Sequence, residues 1–286
     1  MERIGVVGAG LMGREIALVF ALAGHRVLLS DRSDAALQAA RERLSDILDK
    51  AIARGRAAEG DRAALDRIVF APGLDGMDAC DFVTEAVFED EDVKAAVLAE
   101  LDRRCGPETI LASNTSTIPI SVLAAHVAPA RRARVIGTHY FSPVSRMPLV
   151  EVVPGLATAA DTVARTRALC TAIGKTPVTI KDVPGFAVNR LLHVFMIEAV
   201  RLVEEGVATP EEIDTACRLG LGHPMGPFEL MDATTSSLCL TAQQIMHDAY
   251  GERFRPRPLL RMRVRAGLTG GRGRPGWRSD GTEGGA

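Results

Sequence analysis

One glycine-rich turn near the start of the chain constrains the fold more than any other feature. Residues 3–7 are a short apolar run, and Gly8-Ala9-Gly10-Leu11-Met12-Gly13 follows at once. The next stretch, 11–23, has helical spacing and ends at Gly24, where a left-handed C-cap belongs. A GxGxxG pattern between a strand and a helix, at the head of a βαβ unit, is the dinucleotide-binding arrangement. The chemistry explains the glycines. Gly8 makes the tight turn, and Gly10 lets backbone amides approach a pyrophosphate. Gly13 allows close helix–strand packing, and the helix N-terminus offers N–H groups and partial positive charge to the anion. Leu11 and Met12 lie in the same turn.

The second apolar run, 26–30, leads to Asp31, about 20 residues after the first glycine, where a carboxylate accepts from the adenosine ribose. An acid there repels a 2′-phosphate, which favours NAD over NADP; Arg32 beside it is the only contrary sign. Further short apolar runs at 67–70, 81–85, 109–112 and 134–138 alternate with amphipathic stretches, as in a parallel sheet covered by helices. Runs at 149–153 and 176–180 are shorter and fit edge strands. A long helix is expected from Ser33 towards Arg54, with Leu37, Leu44, Ile47, Leu48, Ala51 and Ile52 at helical spacing.

The texture changes at the turn-prone segment 181–186. Residues 188–205 read as a long helix that is apolar on most sides. Thr209-Pro210-Glu211-Glu212 is a helix start, and no strand pattern follows. The fold class expected is therefore α/β: a Rossmann-type doubly wound sheet over 1–182 and an all-α domain over 183–286. An apolar helix in so small a domain needs a partner surface, so a homodimer through the second domain is expected. The Gly- and Arg-rich stretch from about 268 to 286, with its single Trp277, reads as a loose tail. Its arginines lack the aromatic interleaving of an RNA-binding segment.

Composition removes several function classes. Lys plus Arg number 34 against 36 Asp plus Glu, a net charge of -2, so no global field gathers nucleic acid or anionic membrane. No apolar run approaches the roughly 18–20 residues of a membrane span. No secretory signal is visible at the N-terminus. Five scattered cysteines, without CxxC spacing, read as reduced, packed thiols of a cytoplasmic protein rather than as disulfides or a metal site. No metal is expected.

The reaction crevice of a doubly wound sheet lies beyond the carboxyl ends of its strands. Three strand ends here carry chemistry: Ala-Val-Phe-Glu89 after 81–85, Ser113-Asn114-Thr115-Ser116 after 109–112, and His139-Tyr140-Phe141-Ser142-Pro143 after 134–138. Glu151 lies on the next short strand, beyond a proline-bounded loop, so the chain can fold back and put a carboxylate beside His139. A His–Glu pair removes a proton from an alcohol at neutral pH, the acid fixing the tautomer and stabilising the imidazolium. An ordinary strand-end histidine is the competing reading; the upstream cofactor motif favours the functional one. The remaining histidines carry no such context.

Taken together, these segments resemble the L-3-hydroxyacyl-CoA dehydrogenase family over about residues 2–265. The resemblance rests on Ile-Gly-Val-Val-Gly-Ala-Gly-Leu-Met-Gly (4–13), Glu-Ala-Val-Phe-Glu-Asp (85–90), Ser-Asn-Thr-Ser (113–116) and Gly-Thr-His-Tyr-Phe-Ser-Pro-Val (137–144). Val-Glu-Val-Val (150–153), Pro-Gly-Phe-Ala-Val-Asn-Arg (184–190) and Pro-Met-Gly-Pro-Phe-Glu (224–229) continue it. It implies reversible oxidation of an (S)-3-hydroxyacyl-CoA to the 3-ketoacyl-CoA with NAD, closest to the 3-hydroxybutyryl-CoA type. His139 matches the base and Glu151 the acid that orients it. Ser116 and Asn189 match side chains that hold substrate oxygens, and Glu89 and Lys94 match cofactor contacts around the ribose and nicotinamide. Ser142 takes a nicotinamide-contact position where single-function members often carry Asn. Lys50 and Arg54 on the long helix are candidates for CoA phosphates, with a solvated basic face as the equal alternative. After Met231-Asp232 the family usually has a glycine-containing turn; this chain reads Ala-Thr-Thr-Ser-Ser. Rival readings are a dehydrogenase of a free hydroxy acid or sugar acid, as in lambda-crystallin-like relatives, and an NAD-binding relative without catalysis.

Overall fold

A computed structural model describes residues 1–271 and 273–278. The chain divides into two compact units, Met1–Phe186 and Ala187–Ala286.

The first unit alternates strands and helices. In chain order it runs β1 (Arg3–Val7), α1 (Leu11–Leu22), β2 (Arg26–Asp31), α2 (Asp34–Ala53), β3 (Ile68–Pro72), β4 (Phe82–Glu85), α3 (Glu91–Arg104) and β5 (Ile110–Ser113). It continues with α4 (Ile120–Ala124), β6 (Val135–Tyr140), β7 (Leu149–Pro154), α5 (Ala160–Ala172) and β8 (Thr176–Thr179). One eight-stranded sheet results, in the order β3-β2-β1-β4-β5-β6-β7-β8. The chain goes one way from β1 to β2 and β3, then returns to place β4 on the other side of β1. The carboxyl ends of β1 and β4 therefore flank the point where the order reverses, which is where such sheets bind ligands.

Every pairing is parallel except β6 with β7, which is antiparallel. The alternating pattern suggests a parallel sheet for the main strands, and the fold-back expected after His139 is the antiparallel exception. The reason for the exception is length: the link from Tyr140 to Leu149 is too short for a crossover, which needs a dozen or more residues, so the chain turns back.

Local chemistry sets the helix starts. Ser33 caps α2 by accepting from Ala36 N, and Asp90 caps α3 by accepting from Val93 N. Leu37, Ala40, Leu44 and Leu48 form the buried stripe of α2, and Ile16 to Ala21 of α1 are all buried. Gly24, at φ 90°, ends α1 in the left-handed conformation.

The second unit is helical: α6 (Val188–Glu204), α7 (Pro210–Gly220), α8 (Pro227–Thr234), α9 (Ser236–Tyr250) and α10 (Pro258–Arg265). Thr209 and Glu212 form a reciprocal capping box at α7, with Pro210 in the first turn. The core gathers Met196, Val200, Ile213, Cys217, Phe228, Met231, Leu260 and Trp277. Helix α6 is only partly buried within the single chain. Met196, Ile197, Ala199 and Val200 are buried, while Leu191 is 76% exposed and Val194 43%.

The tail also differs from expectation. Trp277 is buried, stacks near Phe228 at 4.8 Å between ring centroids, and donates its indole N–H to Ser236 Oγ at 2.9 Å. The backbone amides of Trp277 and Arg278 donate to Asp232 at 2.8 and 2.9 Å. A Cβ at Gly276 would lie 2.2 Å from Asp232, so the glycine there permits the docking. The expected looseness fails for 268–271 and 273–278, because an aromatic anchor and the half-buried carboxylate of Asp232 hold them. Residues 272 and 279–286 lie outside the described residues.

Thr235 takes φ 92° and ψ 135° between α8 and α9. A β-branched residue there is strained. Its hydroxyl offsets part of that by accepting from Leu238 N at the start of α9.

Candidate active site

The glycine loop has the shape of a phosphate cradle. Gly8 has φ 100°, donates to Ser30 O at 2.7 Å, and has no room for a Cβ, which would meet Ala86 O at 2.8 Å. At Gly13 a Cβ would lie 1.8 Å from Gly8 O. Gly10 is the opposite case, with open space where its Cβ would point. Two glycines thus pack the turn tightly, and the third keeps the approach to the helix clear. No side chain caps the start of α1 at Gly10, so its first amides suit an anion. Leu11 is half exposed at the mouth of the turn, and Met12 packs partly against the core. Asp31 ends β2, and its two oxygens accept from Ala9 N at 2.8 Å and Ser33 N at 2.9 Å. This ties the acid to the loop, and each oxygen keeps a further lone pair for a ribose hydroxyl.

The strand ends form a line. Val7 of β1 pairs with Glu85 of β4, Glu85 with Ser113 of β5, and Ser113 with Gly137 of β6. Two residues further along β6 stands His139, directly opposite Glu151 of β7. The sequence pattern had ended that strand at 138. It runs two residues longer because β7 pairs with it from the other side. His139 Nδ1 lies 2.7 Å from Glu151 Oε2, and the side chains are 8% and 1% exposed. A carboxylate at that distance accepts the Nδ1 proton, so the neutral ring presents its lone pair on Nε2. Phe141 and Phe186 pack on the imidazole, at 4.5 and 5.8 Å between ring centroids.

The loop after β5 is assembled around one carboxylate. Glu89 Oε1 accepts from Thr115 Oγ1 (2.7 Å), Ser116 N (2.7 Å), Ser116 Oγ (3.1 Å), Thr117 N (2.9 Å) and Thr117 Oγ1 (3.0 Å). Burial alone would raise the Glu89 pKa. The charge of Lys94 and these donors outweigh it, and the pKa is held below the ordinary carboxylate value. Lys94, 1% exposed, reaches Glu89 Oε2 at 3.4 Å, both oxygens of Glu85 at 3.1 and 3.2 Å, and Val87 O at 3.3 Å. Asn114 bridges β5 and β6, accepting from Tyr140 N at 2.9 Å.

Sequence reasoning missed three groups. Glu85 is fully buried beneath Lys94, also accepts from Ser113 Oγ, and receives Val87 N at 3.2 Å. Its signal was present: an acid closing a four-residue apolar strand needs a cation, and Lys94 follows on the first turn of α3. Glu15 and Lys175 were also overlooked. Glu15 Oε2 accepts from Val144 N, and Lys175 Nζ donates to Val144 O and to Met147 O, the latter at 2.9 Å. They hold the loop that carries Ser142, which is exposed and precedes Pro143 through a cis peptide bond.

The remaining expected residues are carried by helices. Lys50 is 62% exposed on α2 and pairs with Asp46 at 2.8 Å; Arg54 is exposed at the end of that helix. Asn189 is half-buried in the first turn of α6, in the second unit. All five cysteines are buried and unbridged. Among the described residues no helix is long and apolar enough to cross a membrane.

The comparisons with known proteins match both units. Residues 3–183 fit the family described as 3-hydroxyacyl-CoA dehydrogenase, NAD binding domain, and residues 185–279 its C-terminal domain. The chain belongs to the 3-hydroxyacyl-CoA dehydrogenase family. It is thus an NAD-dependent oxidoreductase of that family. It is 40% identical over 269 residues to a probable 3-hydroxybutyryl-CoA dehydrogenase of Deinococcus radiodurans, covering 94% of this chain and 96% of that one. The crystal structure of FadB2 from M. tuberculosis superposes with a TM-score of 0.92 at 41% identity, covering 96% and 97%. That of (S)-3-hydroxybutyryl-CoA dehydrogenase PaaH1 from Ralstonia eutropha gives 0.90 at 40% identity, covering 96% and 98%.

Proposed function

We propose that the chain interconverts (S)-3-hydroxyacyl-CoA and 3-ketoacyl-CoA, with the short 3-hydroxybutyryl-CoA type favoured by the named relatives. The observation that carries this is the 2.7 Å His139–Glu151 contact on the strand-end line that begins at the glycine loop. In the oxidative direction His139 Nε2 takes the hydroxyl proton as the C3–O bond becomes a carbonyl. Bound NAD supplies the acceptor for the C3 hydride. Glu151 holds the Nδ1 proton and stabilises the imidazolium as it forms. Ser116 and Asn189 are assigned to the substrate oxygen. Glu89 with its partner Lys94, and Ser142, serve the nicotinamide half of the cofactor; Asp31 serves the adenosine ribose. Lys50 and Arg54 remain candidates for the CoA phosphates.

Two measurements test this reading. Acetoacetyl-CoA and free acetoacetate are compared as oxidants of NADH, and gulonate as a reductant of NAD+. The thioester should be the preferred substrate by orders of magnitude; a preference for a free acid overturns it. NADH oxidation across 3-ketoacyl-CoAs of increasing length then sets the chain-length preference. We also propose a homodimer through the second unit, because Leu191 and Val194 on α6, Leu219 on α7 and Leu238 on α9 are exposed apolar side chains. Light scattering at micromolar protein should give twice the chain mass, and a monomer would refute it. Five unbridged thiols suit a reducing cytoplasm.

A further inference from the structure

Two carboxylates surround one ammonium beneath the 113–117 loop. Glu85 accepts four hydrogen bonds from three donors: two from Lys94, one from Val87 N and one from Ser113 Oγ. Each of these partners is a donor, which is the set a carboxylate accepts from. Lys94 spends its N–H groups on Glu85, Val87 O and Glu89. Glu89 is ionised at neutral pH, since its pKa is held low. The cluster therefore carries one cation and two anions, a net charge of -1, with Glu85 and Lys94 essentially out of solvent. No other cation is within ion-pair distance of it among the described residues.

Topology fixes which half of the cofactor this charge faces. Asp31, at the end of β2, marks the adenosine side of the sheet reversal. Glu85 ends β4 on the other side of β1, towards His139. The cluster thus lies on the nicotinamide side. The nicotinamide ring is the part of the cofactor whose charge changes, cationic when oxidised and neutral when reduced. We propose that Glu85 is a specificity-determining residue for the oxidation state of the cofactor: with Glu89 it leaves the buried cluster one negative charge in excess, which favours NAD+ over NADH. This goes beyond placing Glu89 and Lys94 at the cofactor, and it rests on the NAD-dependent reading above. A unit charge acting over roughly 10 Å through an effective dielectric of about 20 changes such an affinity ratio by about tenfold.

The charge tally gives a test that a purely structural role does not mimic. Glu85→Gln makes the cluster neutral, Lys94→Gln makes it doubly negative, and the double variant returns it to -1. The dissociation constants of NAD+ (by calorimetry) and NADH (by fluorescence) are measured for wild type and the three variants. Glu85→Gln should shift the ratio about tenfold towards NADH, Lys94→Gln should shift it towards NAD+, and the double variant should fall within about twofold of wild type. An unchanged ratio in Glu85→Gln overturns the proposal. So does a double variant displaced as far as Glu85→Gln. Should Glu85→Gln not fold, the proposal stands or falls on Lys94→Gln, whose ratio must move towards NAD+. Wild type that binds neither nucleotide contradicts the NAD-dependent reading instead, so the two failures are distinct.

Discussion

Two parts of the site are held in place by different means. His139 and Glu151 face each other because their strands pair in antiparallel register, a placement made by the backbone. The 113–117 loop has its shape because one carboxylate, Glu89, collects five donors from three consecutive residues above a buried ammonium. The first arrangement should survive the loss of its own side chains. The second depends on a charged cluster, and breaking a buried ion pair usually costs about 3–5 kcal/mol. Chemistry and stability are therefore separable at the strand pair and entangled at the loop.

The sharpest break of this contrast is at His139. His139→Gln should lower kcat by about 10²–10⁴-fold, as for loss of a general base. Its melting temperature and NADH affinity should stay near wild type. At the loop the same kind of change should not be clean. Glu89→Gln should lose about 2–3 kcal/mol of stability by denaturant titration at pH 7, discounted because Glu89 is 23% exposed. It should weaken NADH binding at the same time. The sign with pH follows from the lowered Glu89 pKa. That stability is present above the ordinary carboxylate value and is lost as pH falls through the lower folded value. The gap between wild type and Glu89→Gln should thus close below about pH 4.

Glu151→Gln comes next in size. It removes the partner that stabilises the imidazolium but leaves the strand register intact, so turnover should fall by about 10–100-fold and the pH–rate profile should shift. An equal loss of stability there would erase the distinction between the two regions. The smallest effect is expected in the second unit. Thr235→Gly removes a strained φ and loses a hydroxyl cap, and should stabilise the protein by about 1 kcal/mol.

What the sequence disclosed follows the same division. The glycine turn, Asp31 and the strand runs were legible because local spacing determines them. The end of β6 was placed two residues too early, at 138, since its last two residues owe their pairing to β7, which no local pattern announces. Glu85 was missed although its partner is nine residues away; apolar periodicity does not flag a buried acid. Glu15 and Lys175 were out of reach, for they grip the Ser142 loop from 129 and 31 residues away along the chain. Trp277 was read as loose because the glycines around it resemble a linker, whereas Gly276 is there to admit Asp232.

The central claim is that register with Glu151 makes Nε2 of His139 the base. Nitrogen-15 spectra of the histidine rings, with His139 assigned by the His139→Gln variant, observe that atom directly. At pH values where the ring is neutral, the account expects the proton on Nδ1 and an unprotonated Nε2, with the signature altered in Glu151→Gln. A neutral His139 carrying its proton on Nε2 would contradict it.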